Sequence, residues 1–320
     1  MDTPFERADI PPLAPEKFRD PGVTAKGDAR AHVALEKLST LWFNTGSLCN
    51  ITCQDCYMES SPKNDRLAYI TQAEVDRFLD EAARENLGLA EVGLTGGEPF
   101  MNPEIIPILH SILARGLRLL VLTNAMKPLH HKKKQLLDLP DAWRRHLTLR
   151  VSLDHHTQAR HDALRGAGSW DKALAGLTWL AQHGFTVTVA GRAYWTETAA
   201  AARAGYARLF AELGLTIDAE NPATLVVFPE MVAAGDVPEI TTACWDILGV
   251  SPQSVMCATS RMIVKRKGAA AASVVPCTLL PYDARFDLGG SLAQAPKQVP
   301  LNHPYCARFC VLGGASCTAN

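Results

Sequence analysis

The sequence predicts an α/β fold built on parallel strands. Two observations carry this. Between residues 40 and 230, β-prone runs alternate with helical runs. The connections are short, as crossover units require. A third observation marks a second part. From Pro238 the long helical runs stop, and short β-prone runs and cysteines gather. The expected organisation is an N-terminal arm (1–39), a region of six β/α units (40–237) and a small cysteine-rich part (238–320).

Composition sets the outer limits. The chain has 320 residues, and 47% are hydrophobic, enough for a sizeable core. The net charge of −1 argues against a nucleic-acid or membrane-surface role. No run approaches the ~18 apolar residues of a membrane span. The start, Met1-Asp-Thr-Pro-Phe-Glu-Arg, lacks the basic flank and apolar core of a signal peptide. The nine cysteines fall in two groups, Cys49 to Cys56 and Cys244 to Cys317. In an unexported chain such groups read as metal or cluster ligands before disulfides. A cytoplasmic location is the expectation.

Residues 1–28 are rich in proline and charge and read as an arm with little structure. Ala29 to Leu38 suits a short helix. Thr40 to Asn44 is the first strand, and the first cysteines follow at once. Thr71-Gln-Ala-Glu74 is a capping box. Val75, Phe78, Leu79 and Ala82 continue it at helical spacing to Gly88. Ala90 to Thr95 is the second strand. Asn102-Pro103 caps a helix running to Gly116. Leu117 to Thr123 is the third strand. Pro128 to Arg145 is helical and basic, with His130-His131-Lys132-Lys133-Lys134 as a solvated face. Leu147 to Leu153 is the fourth strand. Ser169 caps a helix to Gln182, and Phe185 to Ala190 is the fifth strand. Glu197 to Leu213 is helical with Gly205 as a flaw, and Ala223 to Phe228 is the sixth strand. Arg261–Lys265 and Ser273–Val275 form a hairpin.

Chemistry concentrates at the strand ends. Cys49, Cys53 and Cys56 stand as C-x3-C-x2-C after the first strand. Three thiolates can hold three irons of a 4Fe–4S cube and leave the fourth open. A zinc knuckle or a disulfide pair is the alternative. Gly96-Gly97-Glu98-Pro99 ends the second strand, where two glycines permit close backbone approach. Together these motifs resemble the signature of the radical S-adenosylmethionine (radical SAM) superfamily. The resemblance implies a partial (β/α)6 TIM-like barrel, open at one side. It implies a 4Fe–4S cluster whose open iron is chelated by S-adenosylmethionine, which is cleaved to a 5′-deoxyadenosyl radical. It implies that Gly96, Gly97, Glu98 and Pro99 hold the methionyl ammonium. Ser152 and Arg165, with Arg192 as competitor and Asn124 nearby, would reach the ribose or carboxylate. An aromatic residue usually precedes the last cysteine. Here Asp55 stands there and Tyr57 follows, so the adenine contacts differ.

The second group adds Cys257, Cys277, Cys306 and Cys310, with Cys317 a possible substitute for either of the last two. A hairpin with a cysteine near each end, then a late C-x3-C, resembles the twitch form of the SPASM domain. That likeness implies an auxiliary 4Fe–4S cluster; structural zinc is the alternative. Cys244 reads as a buried packing thiol. His155, His156, Tyr194, Trp195 and Glu230 follow strands four to six, on the catalytic face of a β/α barrel. They are the candidate substrate contacts or proton acceptors. The expected function is hydrogen abstraction from a small molecule, with the auxiliary cluster taking an electron. The alternatives are a peptide-modifying maturase and, in another class, a non-catalytic iron–sulfur carrier. The short arm tilts toward a small molecule. An electron donor such as flavodoxin or ferredoxin is the expected partner.

Overall fold

A computed structural model describes residues 11–193, 197–228 and 235–313. The candidates Tyr194, Trp195, Glu230 and Cys317 lie outside the described residues. β1 (His32–Ala34) belongs to the arm, and β2 (Thr40–Asn44), the first strand of the main sheet, is buried along its whole length. It pairs in parallel with β3 (Glu91–Thr95), Trp42 opposite Gly93. A Cβ on Gly93 would lie 2.2 Å from the Trp42 ring, so the glycine makes room for the indole. Beyond β3 come β4 (Arg118–Thr123), β5 (Leu147–Ser152), β6 (Thr186–Arg192) and β7 (Leu225–Phe228), all parallel. These six strands are the ones the sequence predicts. The hairpin strands β8 (Ser260–Val264) and β9 (Ser273–Val275) extend the same sheet. β8 runs parallel to β2, and β9 antiparallel to β8. The order is β7-β6-β5-β4-β3-β2-β8-β9, so the barrel is partial, with β7 and β9 as its edges. The sheet thus crosses the compositional boundary at Pro238.

Helices cover the sheet. α1 (Gln72–Arg84) starts on the predicted capping box, Thr71 and Glu74 each bonding the other's backbone N–H. It buries Val75, Phe78 and Leu79, each worth about 1.5–3 kcal/mol. α2 (Ile105–Ala114) begins later than expected. Asn102 Nδ2 instead donates to the Thr45 and Ile70 carbonyls at 3.0 and 2.9 Å, tying two loops together. The basic stretch is three short helices: α3 (Lys127–His130), α4 (Lys133–Leu137) and α5 (Asp141–Arg144). Pro140 precedes the last and cannot continue a helix. α6 (Gln158–Arg165) adds a helix between the fourth predicted strand and the helix at Ser169. Ser169 is the first residue of α7 (Ser169–Gln182), not its cap, and its hydroxyl donates to Asp162 Oδ1 at 2.9 Å. α8 (Ala199–Glu212) is capped by Thr198. Gly205 is no flaw there. A Cβ would lie 2.4 Å from the His156 ring, so the glycine seats that ring.

The arm is structured. In place of the expected helix, β1 (His32–Ala34) pairs antiparallel with β10 (Gln298–Pro300). Arg30 is buried and paired with Glu239. Residue 33 thus packs in the core that holds Cys257, Cys277 and Cys306. The helix-side core is a separate cluster around β3, β4, β5, α1 and α2. Cys244, in α9 (Cys244–Leu248), is only partly buried, and its sulfur accepts from Thr241 N at 3.4 Å. No helix of the described residues is long and apolar enough to cross a membrane.

Candidate active site at the strand ends

The chain leaves β2 into the cysteine loop, which is seated on the Gly-Gly turn after β3. Gly97 N donates to Gly46 O at 2.7 Å, and Glu98 N to Leu48 O at 3.1 Å. A Cβ on Gly97 would lie 2.0 Å from Leu48 O. The glycines therefore serve the loop's own backbone first. Cys49, Cys53 and Cys56 then face one cavity of about 1030 Å³, its open mouth included. Tyr57, Gly96, Gly97, Asn124, Ser152, Arg165 and Arg192 share its wall. Phe309 and Leu279, from the cysteine-rich part, complete it.

Asp154, two residues past the end of β5, organises the wall. It is 2% exposed and takes a two-pronged ion pair from Arg165, at 2.8 and 2.9 Å. Arg192 lies 3.5 Å away. Burial alone would raise its carboxyl, but Arg165 and Arg192 hold it down at about 2. The same network clamps the cysteine loop. Gln54 N donates to Leu164 O at 2.7 Å, and Arg192 donates to Gln54 O at 3.2 Å. The signal in the sequence is one acid just past β5, with an arginine closing α6 and another ending β6.

Other predicted residues fall elsewhere. Glu98 is fully buried and off the cavity wall. Oε1 accepts from Phe100 N at 3.1 Å and Thr123 Oγ1 at 2.8 Å, and Oε2 from Asn124 N at 2.8 Å. Burial pushes its carboxyl up to about 7 against those donors. It braces the ends of β3 and β4. Pro99 is likewise buried behind the wall. Asp55 holds a left-handed φ of 52° and does not line the cavity, whereas Tyr57 does. Met58 and Ser60 are further wall residues.

His155 and His156 do not reach the cavity either. They stack at 4.0 Å and meet Glu197 on the α8 side, His155 Nε2 at 3.1 Å and His156 Nε2 at 3.8 Å. Two histidines and a carboxylate invite a metal reading. The hydrogen bonds oppose it. His155 Nδ1 accepts from Thr157 N at 2.9 Å, and its Nε2 faces both Glu197 Oε2 at 3.1 Å and Arg160 Nη1 at 3.2 Å. The arginine cation at that nitrogen opposes a metal cation there. Burial, then His156, lowers His155 to about 4, keeping it neutral.

The second thiol set is equally compact. Cys257, Cys277, Cys306 and Cys310 line one small cavity, walled otherwise by Val255, Met256, Leu280, Val299 and Leu301. Burial pushes Cys257 up to about 11 and Cys306 well above the usual thiol range. Beside them Arg261 is 1% exposed, and its guanidinium donates to the carbonyls of Cys257 and Ser260 at 2.6 and 2.8 Å. Among the described residues it pairs with no carboxylate, and its Nε has no partner. Its Nη2 also meets the carbonyls of Pro296 and Lys297 at 3.4 and 3.3 Å, so the partners of this buried cation are neutral and its charge has no ion pair. Four thiolates around a metal centre would supply the missing negative charge. The first set fits a metal in the same way. Burial drives Cys49 up to about 12, so a metal core must displace that proton. Burial also raises the Cys53 thiol, with Arg165 opposing that rise.

Residues 43–194 match the family model of the radical SAM superfamily. The match spans just under half of the chain and marks these residues as a radical SAM domain. Among curated proteins, the chain is 30% identical over 145 residues to the antilisterial bacteriocin subtilosin biosynthesis protein AlbA of Bacillus subtilis, covering 44% of this chain and 30% of AlbA. It is 32% identical over 150 residues to GTP 3′,8-cyclase 1 of Mycobacterium tuberculosis, covering 44% of this chain and 39% of the cyclase. The chain thus spans between 30% and 39% of the length of these two relatives. Its fold is similar to that of Streptococcus suis SuiB bound to the precursor peptide SuiA. The TM-score is 0.58 at 13% identity, over 82% of this chain and 64% of SuiB.

Proposed function

We propose that the chain is a radical SAM enzyme with two iron–sulfur centres. Cys49, Cys53 and Cys56 would hold a 4Fe–4S cube with one open iron. The observation that carries the reading is that three thiols, two arginines and the Gly-Gly turn share one cavity wall. Such a cluster would supply the one-electron reduction by which S-adenosylmethionine is cleaved for hydrogen-atom abstraction from a substrate. The chain's own residues bind and orient. The Gly96-Gly97 backbone and Ser152 would receive the amino acid and ribose portions. Arg165 and Arg192 present donors for a carboxylate. Asp154 holds both arginines in place and keeps the loop rigid through Gln54. Glu98 acts behind the wall as a brace for the Gly-Gly turn and Asn124. Tyr57, Phe309 and Leu279 offer apolar surface that excludes water.

Cys257, Cys277, Cys306 and Cys310 would hold the auxiliary 4Fe–4S cluster, closed by four thiolates and suited to electron transfer. Arg261 supports this reading by the charge argument above. For the substrate we infer a peptide, supported by the resemblance to the bacteriocin biosynthesis protein. The small-molecule reading shares the chemistry and is supported by the GTP cyclase resemblance. The test is hydrogen transfer from substrate. Reconstituted protein, reductant, S-adenosylmethionine and perdeuterated peptide pools should give 5′-deoxyadenosine carrying deuterium. Transfer only from a nucleotide or other small molecule refutes the peptide reading.

A further inference from the structure

We propose that a basic groove beside the cysteine loop is the docking site of an acidic one-electron carrier protein. The inference rests on the function proposed above. Cleavage of each sulfonium consumes one electron, and the carrier, oxidised by one electron, supplies it.

The groove lies against the outer side of the loop. Its charged wall is Lys127, His131 and Lys132 from the α3 region and Lys172 from the first turn of α7. Its floor is apolar, with Phe100 and Met126 buried beneath. No acid stands among its described wall residues. Among the described residues, Lys127, Lys132 and Lys172 enter no ion pair. Lys133, in the same basic run, instead rests over the Trp179 ring at 4.6 Å. An apolar centre with a charged rim is the anatomy of a protein–protein contact. In a chain of net charge −1 this concentration of positive charge is local. Opposite charge steers encounter and sets orientation.

The groove is also the short way in. Asn50 and Ile51, of the cysteine loop itself, form its inner edge. Ile51 walls both this groove and the thiol cavity. Asn50 Oδ1 accepts from Asn124 Nδ2 at 2.9 Å, and the same Nδ2 lies 3.8 Å from Cys49 Sγ. A carrier seated on the lysines is therefore one residue's thickness from the first thiol. Its route inward is the peptide chain and one hydrogen bond. This placement gives the basic run 130–134 a purpose beyond solvation.

The experiment replaces Lys127, Lys132 and Lys172 together, by Glu in one variant and by Gln in another. Formation of 5′-deoxyadenosine is measured with dithionite and, separately, with photoreduced flavodoxin, at low and high salt. The expected result is an unchanged rate with dithionite. With flavodoxin at low salt the Glu variant should lose about 10- to 100-fold, within the range of electrostatic steering. The Gln variant should lose less, and the salt sensitivity of the wild type should fade in both. A flavodoxin-driven rate equal to wild type overturns the proposal. Equal losses with both reductants in both variants also overturn it. So does a variant that keeps the flavodoxin rate but loses peptide affinity. A wild type inert with dithionite sinks the parent reading instead.

Discussion

Asp154→Asn removes the charge that Arg165 and Arg192 share while keeping volume and one acceptor. Two hydrogen bonds of 2.8 and 2.9 Å join Asp154 to Arg165, and both side chains are nearly buried. Breaking one partner of a buried pair costs about 3–5 kcal/mol. Asparagine retains one acceptor, so the lower end, about 3 kcal/mol, is expected. At an m-value of about 3 kcal/mol/M, the urea midpoint of the metal-free protein falls by roughly 1 M. The pH dependence adds a signature. The carboxyl is depressed from 3.8 to about 2 in the folded state. Its contribution is complete above the unfolded value and disappears as pH falls through the folded one. The gap between wild type and variant should be constant from pH 8 to pH 5 and close toward pH 2. A variant within about 0.5 kcal/mol of wild type at pH 7 refutes the role given to Asp154, since ordinary surface changes fall in that range.

Three further outcomes follow from the packing and the thiol sets. Gly205→Ala should destabilise by about 1–3 kcal/mol through overpacking against His156, measured by urea unfolding. Replacing Cys49, Cys53 and Cys56 by Ala should leave about four irons of about eight after reconstitution, with a reducible paramagnetic signal. Zinc and almost no iron in that variant would contradict the auxiliary-cluster reading. Arg261→Met should lower the midpoint potential of the remaining centre in a redox titration, because a nearby buried cation is removed. An unchanged potential would leave Arg261 a packing residue.

The parallel strands were legible because each is a short apolar run bounded by turn residues. The capping box at Thr71 was legible because both halves of its hydrogen bonding are local. What escaped depends on distant partners. Residues 32–34 are a strand because residues 298–300 pair with them, and no local pattern encodes that. The hairpin was readable, but its pairing with β2 was not, since the partners are more than 200 residues apart. At the site, the thiols, Gly-Gly turn and arginines were found by motif. The turned-away faces of Glu98, His155 and His156 were not. Their directions are set by neighbours such as Asn124, Thr157 and Gly205. Gly205 looked like a helix defect because its reason, an imidazole ring, comes from another strand end.

The most direct measurement is 5′-deoxyadenosine formed from S-adenosylmethionine and dithionite by anaerobically reconstituted protein, compared with Cys53→Ala. The account predicts formation by the wild type and none above background by the variant, because three thiolates are the minimum set for an open-iron cube. Formation at the wild-type rate by Cys53→Ala would contradict it.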